Sequence, residues 1–285
     1  MNQQIKIVEC PRDAMQGWPH FIPTQKKIEY INALLKVGFD TIDVGSFVSP
    51  KAIPQMADTK EVISNLEFGD SQTKLLAIIA NERGAQEAII HDEITYLGFP
   101  FSVSETFQKR NTNSTIEKSF ARVEAIQNLC IKNKKELVVY ISMGFGNPYG
   151  DAYNETIVFD WVNKMAGIGI KKISLADTVG LATTKQVKGV TKYLVESFPG
   201  LEIGVHLHSS KKNRKEKLEA ALQAGCLRFD GAINGIGGCP MAGDELVGNM
   251  DTGFMIEYFK EQHLFTGLEM DAFEAANRIA TQIFV

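Results

Sequence analysis

Eight times along this chain the spacing of apolar residues switches from the two-residue period of a strand to the 3.6-residue period of a helix. Strand-like runs lie at Ile5–Cys10, Thr41–Val48, Lys74–Ala80, Ile94–Phe99, Leu137–Met143, Lys172–Ala176, Leu201–His208 and Leu227–Ile233. Helical spacing fills the intervals at Gln25–Val37, Lys60–Leu66, Glu82–His91, a long region from Ser104 through Ile116–Lys132, Glu155–Ala166, Lys185–Ser197 and Lys215–Ala224. Two further helices are expected near Glu245–Lys260 and Asp271–Ile283. Strands that alternate with helices pair in parallel, because each helix carries the chain back across the sheet. Eight such units predict closure into a (β/α)8 barrel of the TIM type, with additional C-terminal helices. A doubly wound open sheet shares the alternation, but no glycine-rich dinucleotide fingerprint follows the first strand. No repeat, low-complexity segment or linker interrupts the pattern, so one catalytic domain over residues 1–285 is expected.

In such a barrel, chemistry gathers at the C-terminal strand ends. The seventh strand ends in Gly204-Val205-His206-Leu207-His208, and residues two apart on a strand share a face. His206 and His208 therefore form half of a divalent metal site, although two unrelated histidines at a strand end would read the same. A carboxylate or amide oxygen from elsewhere would select a harder metal than nitrogen ligands alone. Asp13, after the first strand, and Asn249 are candidates for those oxygens, and either would also pass for a turn residue. Arg12 brings a permanent charge to the same rim, and Asp43 lies on the second strand. Cys239 sits in the glycine-rich run Asn234-Gly235-Ile236-Gly237-Gly238-Cys239-Pro240, whereas Cys130 and Cys226 lie in helical contexts and read as core thiols. Lys109-Arg110 and Lys211-Lys212 with Arg214 form short basic clusters near upper loops, suited to an anionic group such as a coenzyme phosphate or simply to solvent.

A net charge of −4 argues against a nucleic-acid partner held by phosphate electrostatics. No apolar run approaches the roughly 20 residues of a membrane span, so no membrane partner is expected either. Four widely spaced cysteines without a CxxC pair suit free thiols in a reducing cytoplasm.

Pro11-Arg12-Asp13-Ala14-Met15-Gln16, Ser46-Phe47-Val48-Ser49-Pro50-Lys51 with Pro54-Gln55-Met56, His206-Leu207-His208 and Gly235-Ile236-Gly237-Gly238-Cys239-Pro240 resemble the hydroxymethylglutaryl-CoA lyases, a family of the DRE-TIM metallolyases. The likeness runs in order over nearly the whole chain. It implies a TIM barrel with a divalent Mg2+ or Mn2+ on Asp13, His206, His208 and Asn249, and Arg12 and Cys239 acting on the substrate. There are departures. Ser209-Ser210 stands where the lyases have Asp-Thr, Asp43 where they carry Glu, and Gly253 where a pocket glutamate is expected. The segment from Cys239 to Asn249 is one residue longer.

The resemblance implies cleavage of a carbon–carbon bond beside a tertiary alcohol, giving a ketoacid and an acetyl-CoA enolate. A cation lowers the pKa of that hydroxyl, and Arg12 meets the charge that develops on the thioester oxygen. Cys239 is the candidate acid for the enolate carbon, because a thiol near its usual pKa of about 8.5 keeps its proton at neutral pH. The base is a water on the cation, Asp43 or His206. Related aldolases acting on 4-hydroxy-2-oxo acids, Claisen synthases and a silent metal- or CoA-binding relative are the alternatives. The expected partners are a small acyl-CoA and further copies of the chain, in a dimer or tetramer.

Overall fold

The computed structural model describes residues 4–238, 247–264 and 266–285. Its strands are β1 (Lys6–Glu9), β2 (Thr41–Ser46), β3 (Lys74–Ile78), β4 (Ile94–Ser102), β5 (Glu136–Ser142), β6 (Lys172–Asp177), β7 (Glu202–Leu207) and β8 (Arg228–Gly231). Each pairs in parallel with the next, and β8 closes on β1 with Lys6 opposite Arg228 and Glu9 opposite Gly231. The predicted (β/α)8 barrel is therefore the observed one.

The helices are α1 (Pro11–Gln16), α2 (Thr24–Leu35), α3 (Thr59–Ser64), α4 (Glu82–Ala88), α5 (Glu105–Thr112), α6 (Ile116–Lys132), α7 (Glu155–Gly167), α8 (Thr184–Ser197), α9 (Arg214–Gln223), α10 (Thr252–Glu261) and α11 (Met270–Ile283). Their starts follow local chemistry. Thr115 caps α6 by accepting from the Lys118 amide, and Thr183 with Gln186 forms a reciprocal capping box on α8. In α6 the buried Ile116, Ser119, Val123, Ile126, Gln127 and Cys130 recur every three or four residues, which turns one face to the barrel. The main core is this layer between strands and helices.

Inside the barrel a smaller cluster of Leu76, Ile78, Tyr96, Val138 and Tyr140 forms its own core. Glycines make room there. A Cβ at Gly98 would meet Ile78 and Leu76 side chains at 2.6 and 2.9 Å, and one at Gly204 would meet Arg228 at 3.0 Å. Large side chains thus face small ones across adjacent strands, as a filled barrel requires.

Pro11 starts a helix directly after the first strand, its fixed φ being preorganised for a first helical position. Two expectations need correction. The last strand-like run stops at Gly231, and Ile233–Gly235 is a single 3-10 turn. The helix expected from Glu245 starts at Thr252, where Asp251 accepts from the Gly253 and Phe254 amides. Residues 247–251 are extended instead, with Asn249 bridged antiparallel to His208 and Asp251 parallel to Ala232.

Candidate metal-binding active site

Residues from two places in the sequence meet at the C-terminal rim. Asp13 lies in the first turn of α1, His206 in β7, and His208 just beyond it. One ligand atom from each lies within 4.8 Å of the others. All three are buried, yet they line a cavity of about 430 Å3 together with Arg12, Gln16, Tyr140 and Thr178.

Each imidazole is oriented by its Nδ1. In His208, Nδ1 lies 2.8 Å from the Val247 carbonyl, which can only accept, so Nδ1 carries the proton and Nε2 keeps a free lone pair. In His206, Nδ1 lies 3.3 Å from Asp230 Oδ2, which fixes that ring in the same sense. Burial, helped by the neighbouring His206, holds His208 below the ordinary histidine pKa and thus neutral. Burial also works against the charge of His206, but the hydrogen bond and charge of Asp230 outweigh it and raise that pKa.

Asp13 is an acceptor under tension from several donors. Its Oδ1 accepts from Arg12 at 2.9 Å and from Gln16 at 2.7 Å, and its Oδ2 accepts from Asn249 Nδ2 at 2.7 Å. Burial opposes its charge, yet Arg12 and the two histidines pull its pKa down to about 2. Asn249 spends its amide protons on Asp13 and on the Ile236 carbonyl at 2.8 Å. Its Oδ1 is buried without a partner among the described residues. An orphaned amide oxygen beside two imidazole nitrogens and a carboxylate is a donor set for a hard divalent cation. The glycine-rich loop packs tightly here. A Cβ at Gly237 (φ +102°) would meet Asn249 Nδ2 at 2.6 Å and the Asp13 carbonyl at 2.8 Å.

Arg12 is held edge-on by two acids. Nη1 donates to Asp13, and both Nε and Nη2 donate to Asp43 Oδ2, at 3.0 and 2.5 Å. Three of its five N–H groups are engaged, which leaves two for a substrate oxygen. Burial raises the Asp43 pKa to about 6 against the pull of Arg12, and its Oδ1 has no partner among the described residues. A register shift in β2 between Asp43 and Gly45 bends the strand beside this residue.

The structure thus brings Arg12, Asp13, Asp43, His206, His208 and Asn249 together. Cys239 lies outside the described residues. Of the basic clusters, Arg110 lines the cavity, Arg214 pairs with Asp251 at 2.9 Å, and Lys211 and Lys212 are exposed. Ser209 gives its side chain to Met250, so no carboxylate supports the ligands from that position.

Other groups escaped sequence reasoning. Asp230, directly opposite His206 in the β7–β8 register, was signalled by a lone acid in an apolar run. Lys217 is fully buried and donates to Asp177 Oδ2 at 2.6 Å, to the His208 carbonyl at 2.9 Å and to the Gly180 carbonyl at 3.0 Å. Glu9, whose pKa burial raises to about 8, accepts from the Ile233 amide at 2.9 Å and from Thr252 Oγ1 at 2.6 Å. It ties β1 to both ends of the chain segment that carries Asn249. A second group, Cys10, His206 and Asp230, also lies within 4.8 Å. Arg228 already places a cation 3.6 Å from Asp230, and burial raises the Cys10 thiol well above its usual pKa, so these residues suit a metal poorly.

Comparison with known proteins finds relatives over nearly the whole chain. The HMGL-like family model matches residues 4–279. The cytoplasmic 3-hydroxy-3-methylglutaryl-CoA lyase of Rattus norvegicus is 32% identical over 273 residues, covering 95% of this chain and 78% of its own. A hydroxymethylglutaryl-CoA lyase of Bacillus subtilis is 30% identical over 264 residues, covering 92% of this chain and 86% of its own. Among solved structures, an HMG-CoA lyase from Acinetobacter baumannii in complex with coenzyme A and 3-methylmalate superposes with a TM-score of 0.91 at 31% identity, covering 100% of this chain and 92% of the other.

Proposed function

Because the chain belongs to the HMGL-like family, we propose that its barrel is a lyase that cleaves 3-hydroxy-3-methylglutaryl-CoA to acetyl-CoA and acetoacetate. The observation that carries this reading is the meeting of Asp13, His206 and His208 within 4.8 Å, beside an unpartnered Asn249 oxygen and inside the cavity that Arg12 lines.

Asp13, His206, His208 and Asn249 would hold a divalent cation, which we take to be Mg2+ or Mn2+ from the two oxygen donors in the set. When bound, it supplies Lewis acidity that makes the substrate's tertiary hydroxyl easier to deprotonate. The two remaining N–H groups of Arg12 meet the thioester oxygen, where negative charge grows as the bond between C2 and C3 breaks. Of the two candidate bases on this chain, Asp43 is favoured. His206 would commit Nε2 to the cation and already holds Nδ1 to Asp230, whereas Asp43 Oδ1 has no partner among the described residues. Asp43 takes the hydroxyl proton, the C2–C3 electron pair passes to the enolate of acetyl-CoA, and acetoacetate leaves. Cys239 gives a proton to the enolate carbon, a role assigned from the sequence motif alone.

We assign the chain to the cytoplasm, as one catalytic unit over residues 1–285 that assembles with its own copies. Cys10, Cys130 and Cys226 are buried free thiols, which supports a reducing setting. No helix among the described residues is long and apolar enough to cross a membrane. Release of acetoacetate from hydroxymethylglutaryl-CoA with added Mg2+ tests the activity. Binding of the thioester without cleavage would overturn it in favour of a silent relative.

A further inference from the structure

One cation of the cavity has no part in the chemistry above. The basic pair Lys109-Arg110 is split by the fold. Lys109 Nζ turns to Glu105 at 2.9 Å, whereas Arg110 lines the same cavity as Arg12, Asp13 and His206. No carboxylate among the described residues lies within ion-pair distance of Arg110. Arg12, the other arginine of the lining, has its charge shared between Asp13 and Asp43.

Arg110 is nevertheless held in place. Its guanidinium lies 4.7 Å from the Tyr149 ring centroid, and Tyr149 stacks on Phe107 at 6.4 Å. The loop carrying Tyr149 is fastened to the start of α5. Asp151 accepts from Ser104 and from the Thr106 amide and hydroxyl at 2.9 and 2.8 Å, and Asn147 bonds the Asp151 carbonyl at 3.0 Å. A guanidinium on an aromatic face keeps its N–H edge free, and that edge matches the paired oxygens of a carboxylate or phosphate. Arg110 is exposed, and this aromatic contact orders part of its side chain before a ligand arrives, which lowers the cost of binding.

We propose that Arg110 is a specificity-determining binding residue that selects an anionic substrate by taking carboxylate or phosphate oxygens at its N–H edge. The proposal rests on the lyase reading. An acyl-CoA with a free acyl carboxylate offers both kinds of oxygen, at opposite ends of the molecule.

Titration calorimetry of the full chain with two separate probes decides it. Coenzyme A carries the phosphates without the acyl carboxylate, and 3-hydroxy-3-methylglutarate carries carboxylates without phosphate. Arg110→Gln should weaken one probe by about 10- to 100-fold, as expected for a charged hydrogen-bonded pair, and leave the other within about twofold. Loss confined to coenzyme A assigns the phosphate, and loss confined to the dicarboxylate assigns the acyl end. Arg110→Lys should recover part of the loss, and Tyr149→Leu should weaken the same probe by about two- to fivefold. Unchanged affinity for both probes, or an equal loss of both, overturns the proposal. If the parent releases acetoacetate while Arg110→Gln binds both probes normally, only the proposal fails. A parent that binds neither probe overturns it together with the lyase reading.

Discussion

Replacing Lys217 with methionine tests how the fold holds His208 in place. The methionine keeps the length and apolar stem of the lysine but removes the donors to Asp177, Gly180 and His208. Among the described residues, Asp177, 3% exposed, then keeps only the Ala182 amide at 3.0 Å on its other oxygen. Breaking one side of a buried ion pair costs roughly 3–5 kcal/mol, against about 0–1 kcal/mol for a surface pair. For 285 residues, an unfolding entropy near 2.1 cal/mol/K per residue amounts to about 0.6 kcal/mol/K, so the melting temperature should fall by roughly 5–8 °C. Freeing the His208 carbonyl should also weaken Mn2+ binding by about tenfold or more, the scale of losses from outer-shell partners. The double variant Lys217→Met with Asp177→Asn removes the stranded charge and should regain stability without regaining Mn2+ affinity. Calorimetric melts and Mn2+ titration of the parent and both variants measure the two effects separately. A single variant melting within about 1 °C of the parent would refute the buried-pair argument. One that loses stability yet binds Mn2+ normally would refute the link to His208.

Other perturbations read different parts of the site. Arg12→Met should lower kcat by about 10²–10³, because it removes an electrostatic donor, while changing Mn2+ affinity far less than loss of a ligand does, since Arg12 touches the site only through Asp13; an unstable but fully active variant would remove Arg12 from the chemistry. His206→Ala should abolish Mn2+ binding in a calorimetric titration, and equal affinity in variant and parent would rule out the site. Glu9 has a folded pKa raised to about 8 from 4.5, so its contribution to stability is full below about pH 4.5 and is lost as pH rises through 8. Glu9→Gln mimics the protonated form and should melt like the parent at pH 5 but above it at pH 8.5; parallel pH profiles would count against a buried neutral carboxyl.

Periodicity made the barrel legible because each strand is buried on both faces and each helix on one, which leaves different marks on the sequence. It failed where single residues decide. α1 is only six residues long and set by Pro11 after a strand. Residues 247–251 carry Val247 and Met250 at a helical spacing, but Asp251 caps the next helix and β-type bridges hold the segment extended. That His206 and His208 share one face was legible from their spacing on one strand. The groups behind them were not. Lys217 reads as one more lysine in Arg214–Gln223, a segment with charged residues on most sides, and only packing reveals its burial. Asp230 and Glu9 are acids within apolar strands, a mark that sequence reasoning can use but did not.

The arrangement around Arg12 also gives two chemically similar acids different capacities. Asp13 and Asp43 share one guanidinium, so the trio carries one negative charge when both acids are ionised. Asp13 has further help from Gln16, Asn249 and the two histidines, which keeps it ionised near pKa 2 despite burial. Asp43 has Arg12 and a smaller pull from His206, and burial, with the charge of Asp13, pushes it up to about 6. The first acid therefore holds its charge across the neutral range, as a ligand must, while the second can exchange a proton, as a base must. Both arginine nitrogens that reach Asp43 bond the same oxygen, Oδ2. Its Oδ1 has no hydrogen-bond partner among the described residues, so the short aspartate anchors Arg12 with one oxygen, and the proposed role as base falls to the other.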